Sequence, residues 1–157
     1  MRVVIDIAHQ KLHLIEGNKV IKTYPVSTSK FGIGNRDGSF KTPLGRHIIS
    51  NKIGRNAAFG EIFKNRRCTG RIVRIGLDSG EDLITTRILR LRGLKPNLNV
   101  GKGIDTYQRC IYIHGTAEEY LIGTPASHGC IRMRNRDIIE LFNIVRIGTL
   151  VDIRRKL

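Results

Sequence analysis

Ile113-His114-Gly115-Thr116 and, after a short insert, Ser127-His128-Gly129-Cys130-Ile131-Arg132 are the runs around which the chain is organised. Cys110-Ile111-Tyr112-Ile113, just ahead of the first run, reads as a buried strand that delivers His114 at its end. A strand terminus is a rigid mounting for a chemical group. A thiol such as Cys130 is a poor nucleophile until a base or a local positive field makes it a thiolate. Imidazole is the side chain best suited to take that proton near neutral pH, and two imidazoles, His114 and His128, precede the thiol. Gly129 lets the backbone turn sharply and bring its N–H groups close to a reacting carbonyl. These residues predict a cysteine acyl-transfer site, and spacing does not decide which imidazole moves the proton. A zinc site fits poorly. His128 and Cys130 have one residue between them, against the two to four usual in structural sites, and no second ligand pair completes a set. Arg132, two residues past the thiol, is placed to meet a carboxylate or polarise a carbonyl, or is an ordinary surface arginine.

His114, Gly115, the step of 12 residues to Ser127, and the run His128-Gly129-Cys130-Ile131-Arg132 resemble the signature of the L,D-transpeptidase catalytic domain (YkuD-like) family. Tyr24-Pro25-Val26-Ser27-Thr28 through Thr42-Pro43-Leu44-Gly45 resembles the same family's N-terminal half, and 51–80 is the weakest part of the resemblance. The resemblance implies a peptidoglycan enzyme that forms a cysteine thioester, with Cys130 as nucleophile and His114 as its base. Arg132, His128, Ser127, Gly129 and Gly115 become substrate-binding or site-shaping residues. The partners implied are peptidoglycan stem peptides, whose diaminopimelate–D-alanine bond would be exchanged for a 3→3 cross-link. No cofactor and no metal are implied. An L,D-carboxypeptidase using water as acceptor, and a non-catalytic basic wall-binding module, are the alternative readings.

Outward from the signature, residues 2–28 read as a strand meander. Val3, Ile5 and Ile7 share one face by period two, Leu12 and Leu14 open the next strand, and Glu16-Gly17-Asn18 turns the chain back through Val20–Val26. His9 and His13 are expected to be solvated. Residues 29–41 and 93–105 have loop composition, and 83–91 is apolar enough for core strand, with Arg87 paired or facing the cleft. The stretch 51–80, with Arg66, Arg67, Arg71 and Arg74, reads as a surface insertion, either a substrate-facing lid or a plain solvated loop. Asn135 can cap a helix in which Ile138, Leu141, Phe142 and Val145 recur at helical spacing, and 149–153 reads as a closing strand. The fold class expected is mainly β with one principal helix, a compact β-sandwich or barrel-like domain spanning 1–157.

Composition narrows the partners less. The chain of 157 residues carries a formal charge of +15, which suits an anionic envelope polymer, acidic peptides or nucleic acid, or no specific partner. No helix-turn-helix, zinc-finger or aromatic-basic pattern supports a specific nucleic-acid role. No run of about eighteen apolar residues predicts a transmembrane segment. The first residues enter strand-like sequence without a signal-peptide pattern. The envelope is therefore expected from the resemblance, and the cytoplasm is the alternative. Cys68 and Cys110 are free thiols or, in an oxidising compartment, a pair.

Overall fold

The computed structural model describes all 157 residues. The chain begins with β1 (Arg2–Asp6), β2 (Lys11–Glu16) and β3 (Lys19–Pro25), an antiparallel meander. Then follow β4 (Gly45–Ile53), the hairpin β5 (Glu61–Lys64) and β6 (Arg67–Ile72), and the long β7 (Ile84–Gly93). The last elements are β8 (Tyr112–Gly115), β9 (Ile131–Met133), helix α1 (Asn135–Ile144) and β10 (Leu150–Arg154).

The strands form one branched sheet in the order β3-β2-β1-β10-β4-β7-β5-β6, with β8 on β7 and β9 on β8. The sheet is not closed, because its ends, β3 and β6, do not pair. Both ends are largely exposed, and β3 keeps lysines along its length, as an edge that must not pair with another chain does. The first and last strands meet in the middle, where β1 runs parallel to β10 with Val3 opposite Val151.

Period-two alternation sends Val3, Ile5, Leu12, Leu14, Ile49, Leu89 and Leu91 to one face, where they form the core with Ile113, Ile131 and Met133. Helix α1 closes that core with Ile138, Leu141 and Phe142, followed by Val145 just past its end. Each such side chain, fully buried, contributes about 1.5–3 kcal/mol. Asn135 does not cap this helix, contrary to the sequence reading. It lies inside the first turn, and its backbone N–H donates to Glu119 Oε1 at 2.7 Å. The carboxylate of Glu119, 16 residues upstream, therefore serves the positive end of the helix dipole.

Three other local readings are refined. The stretch 51–80 is not simply loop, because it contains the β5–β6 hairpin, which pairs with β7 through Phe63 opposite Ile84. Arg87 is paired with backbone carbonyls and not with a carboxylate. Its Nη1 donates to the carbonyls of Ala57 and Thr86 at 2.8 and 2.6 Å. All three cysteines are free thiols. Some of the excess positive charge is spent on stacking, with the guanidinium carbons of Arg90 and Arg92 lying 3.6 and 4.8 Å from the Tyr107 ring centroid.

Candidate active site

Strands β8 and β9 run parallel, with Ile113 opposite Ile131 and His114 opposite Arg132. Alternation then separates two sets of side chains. Ile111, Ile113, Ile131 and Met133 enter the main core. Tyr112, His114, Cys130 and Arg132 lie on the other face. Cys130 and His114 are diagonal neighbours there, about 8 Å apart in Cα by ideal strand spacings. The apolar core thus determines where the polar groups point.

The turn that presents Cys130 is closed by Ser127. Its hydroxyl accepts from the Gly129 N–H at 3.2 Å and donates to the Cys130 carbonyl at 2.6 Å. Thr42 braces it from the N-terminal half, donating to the Gly129 carbonyl at 3.0 Å. Gly129 has φ of +126°, and a Cβ there would meet Ile111 Cδ1 and the Lys41 carbonyl oxygen, each at 3.3 Å. Gly115 is required by close approach instead. A Cβ would lie 2.6 Å from both Asn135 Oδ1 and the Thr85 carbonyl oxygen. Behind Gly115, Asn135 accepts from the Thr85 and Thr86 hydroxyls and donates to the Thr116 carbonyl at 2.8 Å, fixing the end of β8 to the helix.

Cys130 Sγ receives the Tyr112 N–H at 3.3 Å and donates to the Cys110 carbonyl at 3.5 Å. Burial pushes this thiol up to about 12, with the negative charge of Asp82 adding to the rise while the Tyr112 N–H and Arg132 oppose it. At neutral pH the group is therefore a thiol. His114 is fully buried, and its Nδ1 lies 2.6 Å from the Gly115 carbonyl oxygen. A carbonyl only accepts, so Nδ1 carries the proton and Nε2 is left as the basic nitrogen. Burial lowers the pKa of His114, the Asp82 charge and the Gly115 carbonyl partly restore it, and Arg132 lowers it further. The resting pair is a neutral thiol and a neutral imidazole.

Arg132 is among the most deeply buried side chains in the protein. Its Nε and Nη2 both donate to Asp82 Oδ1, at 3.0 and 2.6 Å, while Nη1 stands 3.6 Å from Glu118 Oε1. The guanidinium thus faces carboxylates of its own chain. His128 is half-exposed, and its Nδ1 lies 2.9 Å from Asp82 Oδ2. Its ring also sits about 6 Å from the exposed rings of Phe31 and Phe40. From the β5–β6 hairpin, Arg66 Nη1 reaches over to donate to Tyr112 Oη at 3.1 Å.

All seven residues singled out from sequence thus lie in or beside one small region, around the β8–β9 pair. Sequence reasoning missed Asp82, Glu118 and Thr42. Thr42 stands in the Thr42-Pro43-Leu44-Gly45 run that carried part of the resemblance, a signal that could have marked it. The two carboxylates carry no comparable local signal.

The chain is similar to known proteins in both sequence and fold. The YkuD family model, the L,D-transpeptidase catalytic domain, matches residues 1–153. A Bacillus licheniformis protein named for L,D-transpeptidase YkuD is 27% identical over 155 residues, covering 97% of this chain and 64% of that protein. The Bacillus subtilis protein of the same name is 56% identical over 43 residues, 27% of this chain and 26% of that one. In structure, the Xylanimonas cellulosilytica L,D-transpeptidase superimposes with a TM-score of 0.60 at 20% identity, over 97% of this chain and 59% of that one. L,D-transpeptidase 3 from Mycobacterium tuberculosis, in complex with a faropenem-derived adduct, gives 0.56 at 16% identity, over 97% and 59%. The structural likeness bears on the fold, and the chain spans less than two thirds of the length of each full-coverage relative. With a family match running nearly from end to end, the chain belongs to the L,D-transpeptidase catalytic domain family.

Proposed function

We propose that this chain catalyses L,D-transpeptidation of peptidoglycan stem peptides through a thioester on Cys130. The observation that carries the reading is the shared face of Tyr112, His114, Cys130 and Arg132 on β8–β9, with His114 Nδ1 committed to a carbonyl and Nε2 left basic. Because thiol and imidazole are both neutral at rest, deprotonation is coupled to attack rather than completed beforehand. As Sγ bonds to the carbonyl carbon at the L-centre of diaminopimelate, its proton passes to His114 Nε2. Collapse of the tetrahedral oxyanion breaks the C–N bond, and the imidazolium returns the proton to the departing D-alanine amine. An acceptor amine then attacks the thioester, gives its proton to His114, and releases the Cys130 thiol with a new amide bond. Backbone amides near Cys130 hold the oxyanion, typically worth about 3–4 kcal/mol per donor. The Gly129 amide donates to Ser127 Oγ at rest, so it joins in only if that long bond yields.

In this reading Arg132 anchors Asp82 and Glu118 rather than substrate, and Ser127, Gly129 and Gly115 shape the turn. The β5–β6 hairpin and the segment leading to Asp82 form the lid, joined to the site through Arg66 and Asp82. The protein works where polymerised wall is present, in the envelope. No helix is long and apolar enough to cross a membrane.

Incubation with a disaccharide-tetrapeptide, followed by mass spectrometry of the products, tests the proposal. The expected result is a dimer formed with loss of one D-alanine. Loss of D-alanine without dimer would make the enzyme a carboxypeptidase, and binding without either product would make it a wall-binding module.

A further inference from the structure

Asp82 joins what the sequence separates. It lies 46 residues before His128 and 50 before Arg132, yet its two carboxylate oxygens are divided between them. Oδ1 accepts from Arg132 Nε and Nη2 at 3.0 and 2.6 Å, and Oδ2 meets His128 Nδ1 at 2.9 Å. A carboxylate gripped by a guanidinium fork is held in direction as well as in place. Arg132 gives Asp82 two donors and leaves Nη1 without a hydrogen bond, so the arginine is set by Asp82 more than by Glu118. We propose, resting on the transpeptidase reading, that Asp82 is a positioning residue whose carboxylate fastens the segment after β6 to Arg132 and His128 and sets the electrostatic surroundings of His114.

The charges around His114 support this. Asp82 contributes a negative charge from the segment before β7, and Arg132 a positive one from β9 directly opposite. Strand β7 on the other side presents Ile88, which is uncharged, and β8 itself supplies the Gly115 carbonyl. Burial alone would push the Asp82 carboxyl up. The charges of His114 in its protonated form and of Arg132, with the hydrogen bonds from His128 and Arg132, hold it below its ordinary value instead. By the same attraction Asp82 counters the burial that weakens His114 as a base. Loss of the carboxylate therefore lowers the affinity of His114 for a proton, and it releases Arg132 and His128 together.

Asp82→Asn preserves shape and one acceptor while removing the charge, and Asp82→Glu restores the charge. Imidazole NMR titration of the parent and both variants, with His114 assigned through His114→Gln, reads the effect without any need for turnover. The expected result is a His114 midpoint at lower pH in Asp82→Asn and a return toward the parent in Asp82→Glu. Alongside it, kcat on a disaccharide-tetrapeptide should fall on the order of 10–100-fold in Asp82→Asn, as displaced catalytic groups commonly do. An unchanged His114 midpoint in Asp82→Asn overturns the proposal, whatever happens to kcat. A shifted midpoint in a protein that turns over no stem peptide upholds the role of Asp82 and defeats the transpeptidase reading instead.

Discussion

Cys130→Ala should lower turnover of a tetrapeptide stem about 10⁴–10⁶-fold, the range seen when a covalent nucleophile is removed from an otherwise intact site. The expectation rests on how little else in the region could replace the thiol. Cys110 is near, but its Sγ interacts with Arg66, Arg90 and the Gln108 carbonyl, at 3.6–3.9 Å. Ser127 Oγ is committed to the turn by its bonds to Gly129 and Cys130. The substitution removes the two sulfur hydrogen bonds, from the Tyr112 amide and to the Cys110 carbonyl, and leaves the strand register untouched, so the thermal midpoint should stay close to that of the parent. Steady-state release of D-alanine, with a melting curve as the folding control, checks both parts. Turnover within tenfold of the parent would remove Cys130 from the mechanism.

His114→Gln should cost about 10²–10⁴-fold, the usual contribution of a positioned general base. A base must be unprotonated to act, so the activity of the parent is lost as pH falls through the pKa of His114. Burial lowers that pKa below the ordinary imidazole value, so this acidic limb lies below the usual imidazole range. Glutamine occupies similar space but does not titrate, and its residual rate should lack the limb. A pH–rate profile of kcat/KM for the two proteins decides the matter. If the limb persists in His114→Gln, another group is the base, and His128, whose Nδ1 is held by Asp82, is the first to examine.

The site and the core were legible in different degrees. Val3, Ile5, Leu12 and Leu14 alternate, and Ile138, Leu141, Phe142 and Val145 follow helical spacing, because burial on one face leaves a local period in sequence. The buried strand read at Cys110–Ile113 was legible as a short apolar run instead, and it starts two residues later, as β8 at Tyr112–Gly115, with His114 inside it. Other features depend on partners far along the chain. Arg132 reads locally as one arginine in a basic protein, and its burial follows from Asp82, 50 residues earlier in a polar stretch. Asn135 has the residue type of a helix cap, but Glu119 takes that role from outside the helix. The β5–β6 hairpin left little pattern, since all six residues of β6 are exposed and none need be apolar. What a sequence records poorly, here, is polar pairing across long separations.

The most direct test of the account is intact-protein mass spectrometry shortly after mixing the protein with a disaccharide-tetrapeptide. The expected result is an adduct on Cys130 equal in mass to the substrate less D-alanine, cleaved by hydroxylamine as a thioester is, and absent from Cys130→Ala. An adduct that persists in Cys130→Ala, or turnover by the parent through any other acylated residue, would contradict it.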